Sequence, residues 1–331
     1  MSMRNTARLV LVLALSLFVA GCSDDGKDSP DTDGPKVQAD SGPEVTPLVC
    51  DNDCADLVMS AITLPDATTA TKIGHDYNGD GTVDNALGNI LGGLSSMAGG
   101  SLNVQEAVDS GINKGTTLVL LRMQADDWAT DDSSKAQAWV GAPKQCCSTP
   151  DDSAACAAEA KTTCFAGGAE FAPAADSPTD AYFGGMISGS QATYGPAGMK
   201  FVLPFTGAGA LTLNLKAVYI KGTVGADGKS LSNGILAGAV TQDDLNNNLL
   251  PTITTMLNDT LTDPATEQSV KDVIAQLFDT DTSGTVTLEE VKDSTIVKTF
   301  LAGDVDVDGD GTKELSLGLG FEAVSAAITN M

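Results

Sequence analysis

Apolar and polar positions alternate with a period of two between residues 211 and 219. Leu211, Leu213, Leu215, Ala217 and Tyr219 fall on one side, as in a half-buried strand. Ala226-Asp227-Gly228-Lys229 supplies a turn, and 231–240 returns as a Gly-rich strand. Residues 118–123 and 201–205 are compact apolar runs of strand length. The period changes after Thr241. Thr241 with Asp244 forms a helix-capping pair. Leu245, Leu249, Ile253, Met256 and Leu257 follow at helical spacing, with Pro251 set to kink or divide the helix. Asp263-Pro264 opens another helix, with Val270, Val273, Ile274, Leu277 and Phe278 on one face. A strand-like run at 315–324 ends the pattern. The expected fold class is α+β: a β-rich, sandwich-like body with a C-terminal helical insertion and a final strand. The 35 glycines suit bulges and tight turns in such a sheet.

The start of the chain follows another logic. Arg4 and Arg8 precede an apolar run at 9–20, too short to span a membrane but of the length of a signal-peptide core. The run ends in Val19-Ala20-Gly21-Cys22. This resembles the lipobox of bacterial lipoproteins. The resemblance covers the leader alone and implies cleavage before Cys22 and acyl chains, palmitate among them, on that cysteine. Each buried CH₂ of such chains contributes about 0.8 kcal/mol of membrane binding. Residues 23–48 are rich in Asp, Ser, Pro and Gly, the composition of a tether. As a coil it reaches roughly 30 Å. Ser23, rather than Asp, follows the cysteine, which by the same resemblance favours the outer membrane.

Charge removes one class of partner. Acids outnumber bases 44 to 18, and both leader arginines are lost on cleavage. Such a surface repels phosphate backbones, so nucleic acid is excluded. Beyond Cys22 there are six cysteines: Cys50, Cys54, Cys146, Cys147, Cys156 and Cys164. In an oxidising compartment they read as three disulfides, with 15 possible connectivities. Neighbouring Cys146 and Cys147 should take separate partners. Zinc is the weaker reading of Cys50 and Cys54, because no matching Cys/His pair follows.

The acids are arranged as well as numerous. In 279–290, Asp279, Asp281 and Ser283 stand at positions 1, 3 and 5, and Gly284 at the sharp turn. Thr285 offers its carbonyl at 7, Thr287 stands at 9 and Glu290 at 12. An all-oxygen set of this kind suits Ca²⁺, which takes six to eight hard ligands. With an amphipathic helix before it and Leu288-Glu289-Glu290-Val291 after it, the segment resembles an EF-hand over roughly thirty residues. It departs from the pattern where Ser294 and Thr295 replace apolar residues of the outgoing helix, and no second complete copy pairs with it. Two shorter loops match each other: Asp76, Asn78, Asp80, Thr82 and Asp84, and Asp306, Asp308, Asp310, Thr312 and Glu314. Both place leucine at position 12, Leu87 and Leu317. They resemble the abbreviated Asp-rich calcium loops of extracellular proteins such as integrin-type propellers. Two distant copies do not make a propeller, so only the loop carries over.

Catalytic chemistry has little to work with. A Ser/His/Asp site needs a histidine base, and His75 is the single histidine, placed to pack or cap the first loop. No P-loop, GxGxxG motif or zinc spacing occurs. Trp128 and Trp139 read as core or rim. The expected organisation is a signal peptide at 1–21, lipidated Cys22 with a linker to 49, and a disulfide-bearing β-rich domain at 50–242. A helical segment with the calcium loop at 243–303 and an Asp-rich loop with a returning strand at 304–331 complete it. The expected function is a calcium-binding, membrane-anchored envelope protein that meets a protein or polysaccharide partner. A carboxylate-based secreted hydrolase with structural calcium is the alternative, and a surface-layer protein a third. No catalytic residue is assigned.

Overall fold

The computed structural model describes residues 47–50, 53–66, 69–90, 104–205 and 209–329. In chain order the strands are β1 (Cys54–Thr63), β2 (Val119–Gln124), β3 (Thr130–Asp131), β4 (Lys135–Val140), β5 (Ala169–Phe171), β6 (Tyr182–Ser188), β7 (Gln191–Phe205), β8 (Gly209–Val224), β9 (Ser230–Val240) and β10 (Leu315–Ile328). β1, β2, β4, β6, β7, β8, β9 and β10 hydrogen-bond antiparallel in that order. β10 then pairs back onto β1, with Leu57 opposite Ser325 and Ile62 opposite Phe321. The result is a closed eight-stranded barrel. β3 pairs antiparallel with the end of β6, and β5 pairs parallel with β10.

The sandwich-like body expected from the sequence is therefore wrong. Alternation reports that one face of each strand is buried. It does not report whether the first and last strands meet, and here they do. Closure leaves no free sheet edge on the barrel. Asp56 of β1 ties the seam: its carboxylate accepts two hydrogen bonds from Arg122 of β2 and one from the Ile328 N–H of β10.

The interior is apolar and filled. Phe183, Tyr194, Phe201, Leu213, Val218 and Ile220 are all buried. The alternation in β8 slips at Ala217, which sits at φ +46°. Leu211, Leu213 and Leu215 point inward before the slip, and Val218 and Ile220 after it. Ala217 and Tyr219 are thereby turned outward, where they pack under two of the Asp-rich loops.

Helix α1 (Val104–Lys114) touches both β1 and β7, which stand on opposite sides of the barrel. Its buried face is Val104, Ala107, Val108 and Ile112. The Gln105 amide fastens it to the end of β1, accepting from Leu64 N–H and donating to the Ile62 carbonyl. Helix α2 (Ser153–Thr162) is capped by Asp152 and held by disulfides Cys146–Cys164 and Cys147–Cys156. Cys50 pairs with Cys54. The vicinal cysteines do take separate partners.

The helical segment lies between β9 and β10. The Thr241 hydroxyl accepts from Asp244 N–H to start α3 (Gln242–Asp244). A π turn (Leu245–Leu249) follows and runs with unbroken helical backbone into α4 (Leu250–Thr262), so Pro251, which has no N–H to donate, falls just after an irregular turn and does not divide the helix. Then come α5 (Gln268–Phe278), α6 (Leu288–Asp293) and α7 (Thr295–Phe300). Leu250, Leu257, Ile274, Val286 and Val291 make a small core of their own. Val273, expected on the same face, stands half exposed.

Candidate metal centre

The 279–290 loop joins α5 to α6. Two of its residues take positive φ: Gly284 at +83°, which glycine adopts freely, and Thr282 at +58°, which a β-branched residue adopts only under strain. Asp279 is buried, and its two carboxylate oxygens accept from Ser283 N–H at 2.9 Å and Gly284 N–H at 2.8 Å. Asp281 Oδ1 accepts from Ser283 N–H as well. Glu290 reaches back across the loop. One oxygen accepts from Thr280 N–H and hydroxyl, and the other from Thr287 N–H and hydroxyl. Thr287 and Glu290 form a reciprocal capping box at the start of α6. The Thr287 donors, followed by Thr280 and Asp281, hold the Glu290 carboxyl down at about 2. An oxygen each from Asp279, Asp281 and Glu290 converge within 4.8 Å of one another. The Ser283 hydroxyl points instead to the Thr285 carbonyl.

Position 8 is Val286, whose side chain is buried in the helical core. Its backbone is satisfied by a side chain from another helix. Asn258 of α4 accepts from Val286 N–H at 2.9 Å and donates to the Val286 carbonyl at 2.7 Å. A single loop thus obtains the two hydrogen bonds that a neighbouring strand would give.

The two shorter loops are folded alike. Asp76 accepts from Gly79 and Gly81 N–H, and Asp306 from Gly309 and Gly311 N–H. Asp80 accepts from Thr82 N–H, and Asp310 from Thr312 N–H. Asp84 takes Tyr77 N–H where Glu314 takes Val307 N–H. Each loop is pinched by a bridge, His75 with Asp84 and Val305 with Glu314. Leu87 and Leu317 are buried in the barrel core, so position 12 serves packing. Both loops rest on one apolar cluster of Tyr77, Val305, Val307 and Ala239, against Ala217 and Tyr219. They are also linked through Ser316, whose hydroxyl accepts from Ala86 N–H and donates to Asp304.

Their electrostatics differ. Asp306, Asp308 and Glu314 bring three carboxylates together within 4.8 Å. No such group forms at 76–84, where Asn78 holds the third position and donates to Asp84. Burial, with Asp304 and Asp76 nearby, raises the Asp84 carboxyl. Lys216 hydrogen-bonds Asp308 and lowers its carboxyl. His75 stacks on Tyr219 at 3.7 Å and meets Tyr77 edge-on. Its Nδ1 is 2.8 Å from Lys221 Nζ. Burial, then that ammonium, lowers His75 to about 4, so the ring is neutral at physiological pH.

Compared with known proteins, the chain matches no family model, no curated protein and no solved structure. The chemistry has to be read from the residues themselves. Two acidic clusters, Asp279/Asp281/Glu290 and Asp306/Asp308/Glu314, could hold a metal ion. Cys22 and the leader lie outside the described residues.

A cleft of about 560 Å³ opens beside β7, β8 and α3. Lys200, Lys216, Asn214, Asp180, Asp243 and Asn247 are among its lining residues. Asp244 is buried at its wall, accepting from Asn214 backbone and side chain and from Asn248. Sequence reasoning missed this cleft, Lys216 and Asn258. They have no periodic or motif signal, because each acts through a fold-level juxtaposition.

Proposed function

We propose that this protein is a calcium-binding envelope lipoprotein, anchored through Cys22, whose barrel and calcium-held loops form a binding or structural module at the outer membrane. The observation that carries the calcium reading is the folding of the acidic loops: two of them gather three carboxylates each, with oxygen donors throughout. Oxygen-only sets of this size suit Ca²⁺ better than Zn²⁺, which favours nitrogen and sulfur. A β-barrel is compatible with an outer-membrane location. The outer face of β8 carries Asn214, Lys216 and Lys221 over an apolar interior, which suits a barrel standing in water beside a membrane. Membrane-spanning barrels have the opposite polarity. Three disulfides agree with export to an oxidising compartment.

The ion reading is tested by thermal melting of the full chain in calcium, magnesium and EGTA. Calcium is expected to raise the melting temperature above that in EGTA, and magnesium to raise it less. Equal melting in all three overturns it. The anchor is tested by fractionation: wild type should follow membranes and Cys22→Ser should not. Equal solubility would contradict the lipoprotein reading. The cleft supports a carboxylate-based hydrolase as the second reading, since Asp180 and Asp243 both line it. Turnover of chromogenic glycosides that is lost in Asp243→Asn would favour that reading.

A further inference from the structure

One lysine belongs to two places at once. Lys216, on the outer face of β8, puts its Nζ 2.8 Å from Asp308 Oδ2 and 3.6 Å from Glu314 Oε1. Those are two of the three carboxylates that converge in the 306–314 loop. The same residue is among those lining the cleft, together with Asp180 and Asp243.

Charge explains why a cation is held there. The Glu314 side chain is only 4% exposed. A carboxylate so far from water needs a positive partner, and Lys216 makes its one ion pair among the described residues. Asp308 accepts a hydrogen bond from the ammonium at 2.8 Å. The lysine side chain is itself 46% exposed, so it is held weakly and can leave. The sister loop at 76–84 has no such clamp. Among the described residues no ion pair reaches Asp76, Asp80 or Asp84, and Lys221 turns to His75 instead.

We propose that Lys216 is an intramolecular competitor for the cation position of the 306–314 loop. Its ammonium neutralises Asp308 and Glu314 when calcium is scarce. Calcium, carrying twice the charge and needing the same oxygens, expels it toward the cleft, where carboxylates are at hand. The loop with more carboxylates is thereby made the weaker calcium site, and its filling changes the charge of the cleft. Two places that share one residue are thermodynamically linked. This inference rests on the calcium reading of that loop.

The test uses the full chain carrying Asp76→Asn, Asp80→Asn and Glu290→Gln, so that 306–314 is the remaining loop. Calcium chloride is titrated by calorimetry into this background with and without Lys216→Met, which keeps the apolar stem, and with Lys216→Arg, which keeps a charge. Lys216→Met is expected to bind calcium about tenfold more tightly and Lys216→Arg to stay near the parent. In the otherwise wild-type chain, acetylation of Lys216 by acetic anhydride, read by mass spectrometry, should rise severalfold on adding calcium. Equal or weaker binding by Lys216→Met, or labelling that ignores calcium, overturns the competitor role. If no variant of the background binds calcium at all, the calcium reading of this loop fails and takes the competitor role with it, an outcome distinct from equal binding.

Discussion

The carboxamide of Asn258 meets the backbone of Val286 at both ends, accepting its N–H at 2.9 Å and donating to its carbonyl at 2.7 Å. Asn258 stands on α4 and Val286 in the loop between α5 and α6, and the contact is what fixes the middle of the 279–290 loop. Buried hydrogen-bonding groups left without partners cost about 1–3 kcal/mol.

Asn258→Ala should therefore destabilise the helical segment by about that amount. Asn258→Asp keeps the acceptor and loses the donor, so it should be damaged as well. Chemical denaturation monitored with and without calcium checks this. A neutral Asn258→Ala would mean that water or a neighbour replaces the amide.

His75 gives a pH prediction with a definite sign. Its pKa falls from 6.5 to about 4 on folding, through burial and the Lys221 charge. Between those values the unfolded chain binds a proton that the folded chain refuses. The contribution to stability is thus present above pH 6.5 and is lost as pH falls toward 4. It is the chain's one histidine, so its ring protons are unambiguous in an NMR titration. A midpoint near 4 is expected. A midpoint near 6.5 would contradict the packing against Tyr219 and Lys221.

The disulfides should stabilise the α2 region where its own packing is thin. Only Cys156 and Ala160 of that helix are buried. Cys146–Cys164 closes a separation of 18 residues. A loop of that size is worth about 3 kcal/mol in the chain-entropy picture. Replacing both cysteines by serine should lower stability by about that amount while the barrel persists. Peptide mapping without reductant should recover 146–164 and 147–156 linkages, and swapped pairs would contradict the structure.

The sequence carried some of this and not the rest. The strand starting at 211 was visible because Leu211, Leu213 and Leu215 are buried while the residues between them are not. β1 was not, because Leu57, Val58 and Met59 are all buried and no alternation results. Helix α2 was missed because its alanines carry no apolar stripe and disulfides hold it in place. The outward turn of Tyr219 was hidden by the slip at Ala217. Barrel closure joins residues near 57 to residues near 325, and local periodicity holds no record of such a meeting. The loops were legible for the opposite reason: each is a local device whose Asp and Gly residues bond within a dozen positions. What the loops touch, Asn258 for one and Lys216 for another, came only with the fold.

The most direct test of the calcium account is a calorimetric titration of the full chain and of Glu290→Gln. Glutamine still serves a capping box, so the variant should keep α6 and lose one carboxylate of the cluster. With Ser283 and Thr287 in place of acids, the 279–290 site should bind with a dissociation constant of about 10⁻⁴ to 10⁻³ M, as extracellular modules do. With free calcium a hundredfold above that dissociation constant, the binding should stabilise the fold by about 2.7 kcal/mol. Glu290→Gln should lose that component of the isotherm and the matching part of the calcium-dependent melting shift. An isotherm and a melting shift both unchanged in Glu290→Gln would show that the loop is not a calcium site.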